Sequence, residues 1–182
     1  MKRLLGFLFF IIAVFIVIFL VSFLLPSKVT ITKSIEINAT AEKVRDQILN
    51  FEKWKNWYPA FADENVAVTK NSPSQHILNS VTLADKQGNS NTLDLVDSSK
   101  QTINVNLESS SSAKVSYQFM LMPEANNQTQ LTWNINTDLG WYPWRRIKGI
   151  FLDKFSGPQY EAALETLRKA AATSAVPLPC SP

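Results

Sequence analysis

The strongest constraint on this chain is an apolar run near its start, at residues 4–25, which begins at Leu4 and ends at Leu25. It contains no charged residue, and its large apolar side chains cover every face of a helix. A helix of that length measures roughly 30 Å, the thickness of the hydrocarbon core of a bilayer. The run therefore predicts one N-terminal transmembrane helix, with a lipid bilayer as its partner.

A cleaved signal peptide is the alternative for this run. Its apolar region would be shorter, about 7–15 residues, and small residues would precede the cleavage site. The run ends instead with bulky residues directly before Pro26. Lys2 and Arg3 precede it, and positive charges favour the cytoplasmic side. We expect an uncleaved anchor over residues 1–26, with the N-terminus inside and the rest of the chain outside the cytoplasm.

The remaining sequence is long enough for one domain with a sizeable core, which we place at residues 27–172. Without Lys2 and Arg3 the chain has 16 basic and 15 acidic side chains, and they are not clustered. This balance argues against nucleic-acid binding. Residues 173–182 contain three prolines and no periodicity, so we expect a disordered tail.

Apolar and polar residues alternate in most of this domain, as they do in half-buried strands. A first strand is predicted at residues 29–37. Two short helices follow, the first capped by Asn38 or Thr40 and the second ending before Pro59. Six more strands are predicted at residues 65–70, 76–83, 91–96, 102–107, 113–122 and 128–137. Short spacings indicate hairpins, and hence an antiparallel sheet with one apolar face.

A long C-terminal helix at residues 144–172 is predicted to cover that apolar face. We expect Gly157 and Pro158 to kink or restart it. The apolar residues predicted to face the sheet are Ile147, Ile150, Phe151, Phe155, Ala163, Leu164 and Leu167.

Three segments carry a family resemblance: IEINATAEKV at residues 35–44, ILNFEKWKNWYP at residues 48–59 and IFLDKFSGP at residues 150–158. With the order of elements, they resemble the START-related polyketide cyclase/dehydrase superfamily (SRPBCC), and the resemblance covers residues 28–170. It implies an α+β helix-grip fold, in which a curved antiparallel sheet of about seven strands surrounds a long C-terminal helix. Membrane-anchored bacterial members look similar, which implies a location in the bacterial inner membrane.

The resemblance also implies a cavity between sheet and helix for a hydrophobic small molecule or lipid. Aromatic residues are plentiful enough to line one, although core packing alone is the competing explanation for each ring. The candidate ligand-binding residues are Trp54, Trp57, Tyr58, Tyr117, Phe119, Trp133, Phe151 and Phe155.

Titratable residues offer little support for catalysis. His76 is the only histidine and Cys180 the only cysteine, so neither a nucleophile with its base nor a zinc ligand set is evident. We predict no catalytic residue, metal or cofactor, and place His76 at the surface or rim of the domain.

At residues 141–148, aromatic residues are followed directly by basic residues. Trp141, Trp144, Arg145 and Arg146 suit a membrane-proximal patch, because aromatic rings and long cationic side chains favour the headgroup region. The competing interpretation, which the sequence favours, is a helix start whose aromatic residues pack inward and whose cations are solvated. The leading functional hypothesis is a membrane-anchored, non-catalytic binding domain. The alternatives are a cyclase, dehydrase or hydrolase of the same superfamily, and an envelope interaction module with a filled core.

Overall fold

The structure is a computed structural model that describes residues 2–61, 67–71, 77, 79–84, 90–109 and 114–173. The side chains of residues 2–5, 8, 60, 67 and 68 are not among those described. His76 and the tail from residue 174 onward, including Cys180, lie outside these ranges. The predictions made for them are therefore untested.

Helix α1 spans Lys2–Leu24 and contains most of the apolar run. The transmembrane prediction is not confirmed: among described side chains, which leave out residues 1–5 and 8, no helix is long and apolar enough to cross a membrane. The segment that follows α1 is hydrogen-bonded to the segment that follows the last strand. The Leu139 amide donates a hydrogen bond to the Ser27 carbonyl, 2.8 Å away.

Seven antiparallel strands form one sheet in the order β1-β7-β6-β5-β4-β3-β2, which confirms the predicted strand number and pairing. The first and last strands of the chain are neighbours, with Lys28 opposite Asp138 and Ile37 opposite Thr129. The strands are β1 (Lys28–Ile37), β2 (Ala67–Asn71), β3 (Asn79–Ala84), β4 (Ser90–Ser98), β5 (Thr102–Ser109), β6 (Lys114–Pro123) and β7 (Thr129–Asp138).

The two faces of the sheet differ as the alternation predicts. Large apolar side chains on the inner face are almost fully buried, as for Val105, Leu121 and Ile135. The outer face carries a polar ladder across β1 and β7, in which Thr30 donates to Asn136 at 2.7 Å. Because only one face is apolar, the sheet needs a single covering layer.

Short helices follow β1: α2 (Ala41–Leu49), a 3₁₀ turn (Phe51–Lys53), α3 (Trp54–Trp57) and a second 3₁₀ turn (Pro59–Phe61). Thr40 occupies the N-cap of α2, but its side chain makes no capping bond, and the side chain of Asn38 accepts from Gln128 instead. The predicted side-chain cap is therefore wrong. Asn50 caps the first 3₁₀ turn by accepting from the Glu52 amide at 3.2 Å.

The C-terminal region forms two helices, α4 (Pro143–Ile150) and α5 (Leu152–Thr173). The predicted restart of the helix at Gly157 and Pro158 is wrong, because α5 continues through both residues. The chain bends at Phe151 instead, where φ is −100° and ψ is 3°. Lys33 of β1 connects α5 to the sheet, since it binds Asp153 and Glu161 on either side of the proline.

Helix α5 covers the apolar face, mainly against β1, α2 and α3. Ala163, Leu164 and Leu167 are buried there, as predicted. The first half of the predicted apolar stripe is wrong, because its members are exposed on α4 and at the start of α5. They are Ile147, Ile150, Phe151 and Phe155.

Candidate functional site

A cluster of aromatic rings fills the space between the inner face of the sheet and α3 and α5. We call it the aromatic cluster, and its members are Phe51, Trp54, Trp57, Tyr58, Phe61, Tyr117, Phe119, Trp133 and Tyr160. Each element contributes through its own periodicity: α3 supplies Trp54 and Trp57, and alternate residues of β6 supply Tyr117 and Phe119. All but Tyr160 are buried. Six of the eight predicted ligand-binding residues thus lie together.

Trp133 of β7 lies at the centre of this cluster. Its ring stacks on Phe119 with centroids 5.0 Å apart, and it meets Tyr117 and Tyr160 edge-on at 5.2 Å each. It also contacts Tyr58 at 5.7 Å. One indole therefore contacts the rings of three tyrosines.

The three indole N–H groups of the cluster differ in their hydrogen-bond partners. Trp54 Nε1 donates to the Ile48 carbonyl at 2.8 Å, and Trp57 Nε1 donates to the Gln47 carbonyl at 3.3 Å. Trp133 Nε1 is buried and finds no hydrogen-bond partner among the residues that the structure describes. A buried donor without a partner costs about 1–3 kcal/mol, so this N–H needs an acceptor that the described protein atoms do not provide.

The hydroxyl groups of Tyr58, Tyr117 and Tyr160 form a hydrogen-bonded group. The Tyr58 and Tyr117 oxygens are 3.3 Å apart, and Tyr160 interacts with both. Burial raises the pKa of all three phenols above its ordinary value, and it is the largest cause at each. The three tyrosines are therefore neutral at physiological pH, and negative charge is disfavoured around them.

Tyr160 is a cluster member that the sequence reasoning missed. It lies on the same face of α5 as Ala163, Leu164 and Leu167, three, four and seven residues further on. This spacing is the signal that would have found it.

Phe151 and Phe155 are the two predicted ligand-binding residues that lie elsewhere. Their rings contact each other at 6.5 Å, and their exposed fractions are 50% and 78%. They lie beside the predicted membrane-proximal patch, where Trp141 and Trp144 are 61% and 58% exposed. The interpretation favoured from the sequence, in which these tryptophans pack inward, is therefore wrong.

Pockets lined by described residues lie on the outside of the domain. One of about 320 Å³ lies between β1 and α5, beside Lys33 and Glu161, and another of about 380 Å³ lies beside Asn38 and Gln128. Neither borders the aromatic cluster. Within the described ranges, no group of three or more His, Cys, Asp or Glu side chains is placed to hold a metal ion.

Comparisons with known proteins identify the same fold. Residues 28–172 match the model of the family described as polyketide cyclase/dehydrase and lipid transport. No curated protein matches the sequence significantly.

Two solved structures are similar along most of their length. A START superfamily protein from Mycobacterium smegmatis has a TM-score of 0.61 at 16% identity, covering 79% of this chain and 97% of its own. The Zhui aromatase/cyclase from Streptomyces sp. R1128 has a TM-score of 0.60 at 13% identity, covering 80% of this chain and 94% of its own. At these identities the likeness concerns the fold, and with the sheet topology it confirms the predicted helix-grip architecture.

Proposed function

This chain belongs to the polyketide cyclase/dehydrase and lipid transport family, and we propose that it binds a hydrophobic small molecule or lipid at the aromatic cluster without transforming it. The observation that carries the proposal is the unpaired N–H of Trp133 among the rings of Tyr58, Tyr117 and Tyr160. A ligand that brings an acceptor to this N–H would remove its desolvation cost. This gain in binding free energy would explain why a buried N–H without a protein acceptor is present in the cluster.

The surroundings of Trp133 favour a neutral acceptor. Among the buried residues that the structure describes there is no Lys, Arg, Asp or Glu. Burial also raises the pKa of the three phenols, so an ionised carboxylate or phosphate would be disfavoured for the same reason. The proposed ligand is an apolar or polycyclic molecule with a ketone, ester or hydroxyl oxygen.

The proposal is tested by native mass spectrometry of the full chain, purified in detergent and released from the micelle in the gas phase. Organic extraction would then identify anything bound. We expect a stoichiometric adduct that is lost or weakened about tenfold in Trp133→Phe, which keeps the ring and removes the donor. A clean mass after incubation with a membrane lipid extract would contradict binding and favour an interaction module with a filled core.

Trp54→Phe is the matched control, because it removes an indole N–H that already has the Ile48 carbonyl as partner. We expect it to lower the free energy of unfolding by about 1–3 kcal/mol while the adduct is retained. If both variants lose the adduct equally, the donor of Trp133 has no special role. Conversion of the bound molecule into a new product by wild-type protein would favour the cyclase, dehydrase or hydrolase alternative.

We also propose that α1 anchors the domain in a bacterial inner membrane, with the domain on the extracytoplasmic side. The uncharged run at residues 4–25 supports this, as does the exposure of its rings, for example Phe9 and Phe15. Attachment predicts that the chain stays in the membrane pellet after alkaline carbonate extraction. Sidedness predicts that Cys180 reacts with an impermeant maleimide in spheroplasts; reaction only after lysis would contradict it.

A further inference from the structure

We propose that α4 and the start of α5 form a second membrane contact, which lies against the anionic headgroup region of the bilayer and orients the domain on it. The contact is made by seven exposed side chains that we call the α4 surface. They are Trp141, Tyr142, Trp144, Ile147, Ile150, Phe151 and Phe155.

Trp144, Ile147 and Phe151 of the α4 surface recur at spacings of three and four residues, which places them on one side of the helix. Tyr142 contacts the rings of Trp141 and Trp144, with centroids 4.9 Å and 5.0 Å apart. Phe151 and Phe155 form a second pair where α5 begins. Contiguous exposed surface of this kind marks an interaction site, because isolated domains rarely leave so many large apolar side chains in water.

Cationic side chains accompany these rings. Arg145 lies over the ring of Tyr142, 5.2 Å from its centroid. Within the part of the chain that the structure describes, Arg145, Lys148 and Lys154 take part in no salt bridge. Tryptophan and tyrosine rings next to unpaired cations suit the headgroup region of an anionic bilayer, where rings lie at the interface and cations meet phosphates.

The position of α4 explains why the occupant is a bilayer rather than another protein. Helix α4 packs against the end of α1, and Arg146 links the two by donating to the Leu25 carbonyl at 3.4 Å and lying over the Phe23 ring at 5.5 Å. The exposed apolar side chains of α1 therefore end at the helix that carries the α4 surface. A bilayer that surrounds α1 reaches these rings without any further partner, and in this respect the inference rests on the proposed membrane attachment.

The test places an environment-sensitive bimane label on the α4 surface of the full chain. Phe151→Cys is compared with Met122→Cys, both in a Cys180→Ser background. The two positions are equally exposed, at 50% and 51%. Met122 is level with Glu36 of β1, because both lie opposite Gln130. Glu36 is eight residues along β1 from Lys28, where α1 joins the sheet, so Met122 is roughly 26 Å from that end of the sheet.

The proteins are reconstituted in nanodiscs of phosphatidylcholine and phosphatidylglycerol with brominated acyl chains. We expect the label at position 151 to lose most of its emission and the label at position 122 to keep it. Adding Lys148→Glu and Lys154→Glu should reduce the quenching at position 151. Unfolding by urea checks that every variant is folded.

Several outcomes would overturn the inference. Equal quenching at positions 151 and 122 would show that the α4 surface has no special contact with lipid. A label at position 151 that is shielded from water but unquenched would indicate a protein partner or a second copy of the chain. If Lys148→Glu and Lys154→Glu left the quenching at position 151 unchanged, the cations would not contribute to the contact. A chain that is retained in the nanodisc without quenching would overturn the second contact and leave the anchor intact.

Discussion

Two groups of aromatic residues in this molecule have similar composition and opposite surroundings. The aromatic cluster between the sheet and α5 is almost closed to solvent, whereas the rings of the α4 surface are 36–78% exposed along with their aliphatic neighbours. Tryptophan, tyrosine and phenylalanine occur in both. Aromatic content alone therefore says little about what a ring does.

The difference comes from the elements that carry the rings. Strands β6 and β7 present alternate residues to a face that α5 covers, so their rings are enclosed. The chain bends at Phe151, and α4 packs against Leu139 and Val29 through Gly149, so the apolar side chains on its other side have no cover. Rings of the first kind stabilise the fold and surround the Trp133 N–H at which binding is proposed, and rings of the second kind are available for contacts outside the domain.

The largest difference between the two groups is expected from truncation. Phe119→Ala removes a fully buried ring that contacts Trp54, Trp57, Tyr117 and Trp133, and should lower the free energy of unfolding by about 3–5 kcal/mol. Phe155→Ala should change it by less than about 0.5 kcal/mol. Urea unfolding of the full chain in detergent, followed by near-UV circular dichroism, measures both. Similar losses would contradict the division into two groups.

An intermediate effect is expected where α4 meets the sheet. A methyl group added at Gly149 would overlap Leu139 and approach Val29 Cγ2 to 3.2 Å. Gly149→Ala should therefore lower the free energy of unfolding by about 1–3 kcal/mol, although alanine normally favours a helix.

Gly6→Ala is the matched control for this substitution, because a methyl group there meets nothing within 4 Å. It should leave stability unchanged or slightly raised in the same urea unfolding measurement. A harmless Gly149→Ala would mean that α4 is not held against Leu139. The orientation of the α4 surface would then lose its structural basis.

A smaller effect is expected at alkaline pH. Burial raises the pKa of Tyr58, Tyr117 and Tyr160 in the folded state, whereas tyrosines of the unfolded chain ionise near pH 10. Above that pH the unfolded chain releases protons that the folded chain keeps, so stability falls as pH rises. The slope should be at most about 1.4 kcal/mol per pH unit for each tyrosine.

Tyr117→Phe should make this alkaline slope shallower, since one of the raised phenols is gone. Urea unfolding from pH 8 to 11.5, with phenolate absorbance recorded in parallel, provides the measurement. An unchanged slope in the variant would contradict the neutral, buried hydroxyl group described here.

The sheet was predictable because most strands alternate between apolar and polar residues, as at Leu131, Trp133 and Ile135 of β7, so one face had to be buried. The site was predictable in part. Six of its rings follow from the same alternation and from the segment around α3, whereas the place of Tyr160 in the cluster depends on how α5 lies against the sheet. That outcome is decided by tertiary contacts, including those of Lys33, which a local pattern does not contain.

The most direct test of the binding account is the indole N–H resonance of Trp133 in a ¹H–¹⁵N spectrum of the full chain, assigned with Trp133→Phe. In protein freed of its adduct, we expect this resonance at a position typical of an N–H without a hydrogen bond. It should move downfield when the identified ligand is added, while Trp54 and Trp57 remain in place. A Trp133 resonance that is already hydrogen-bonded without ligand, or that stays unchanged when the ligand binds, would contradict the account.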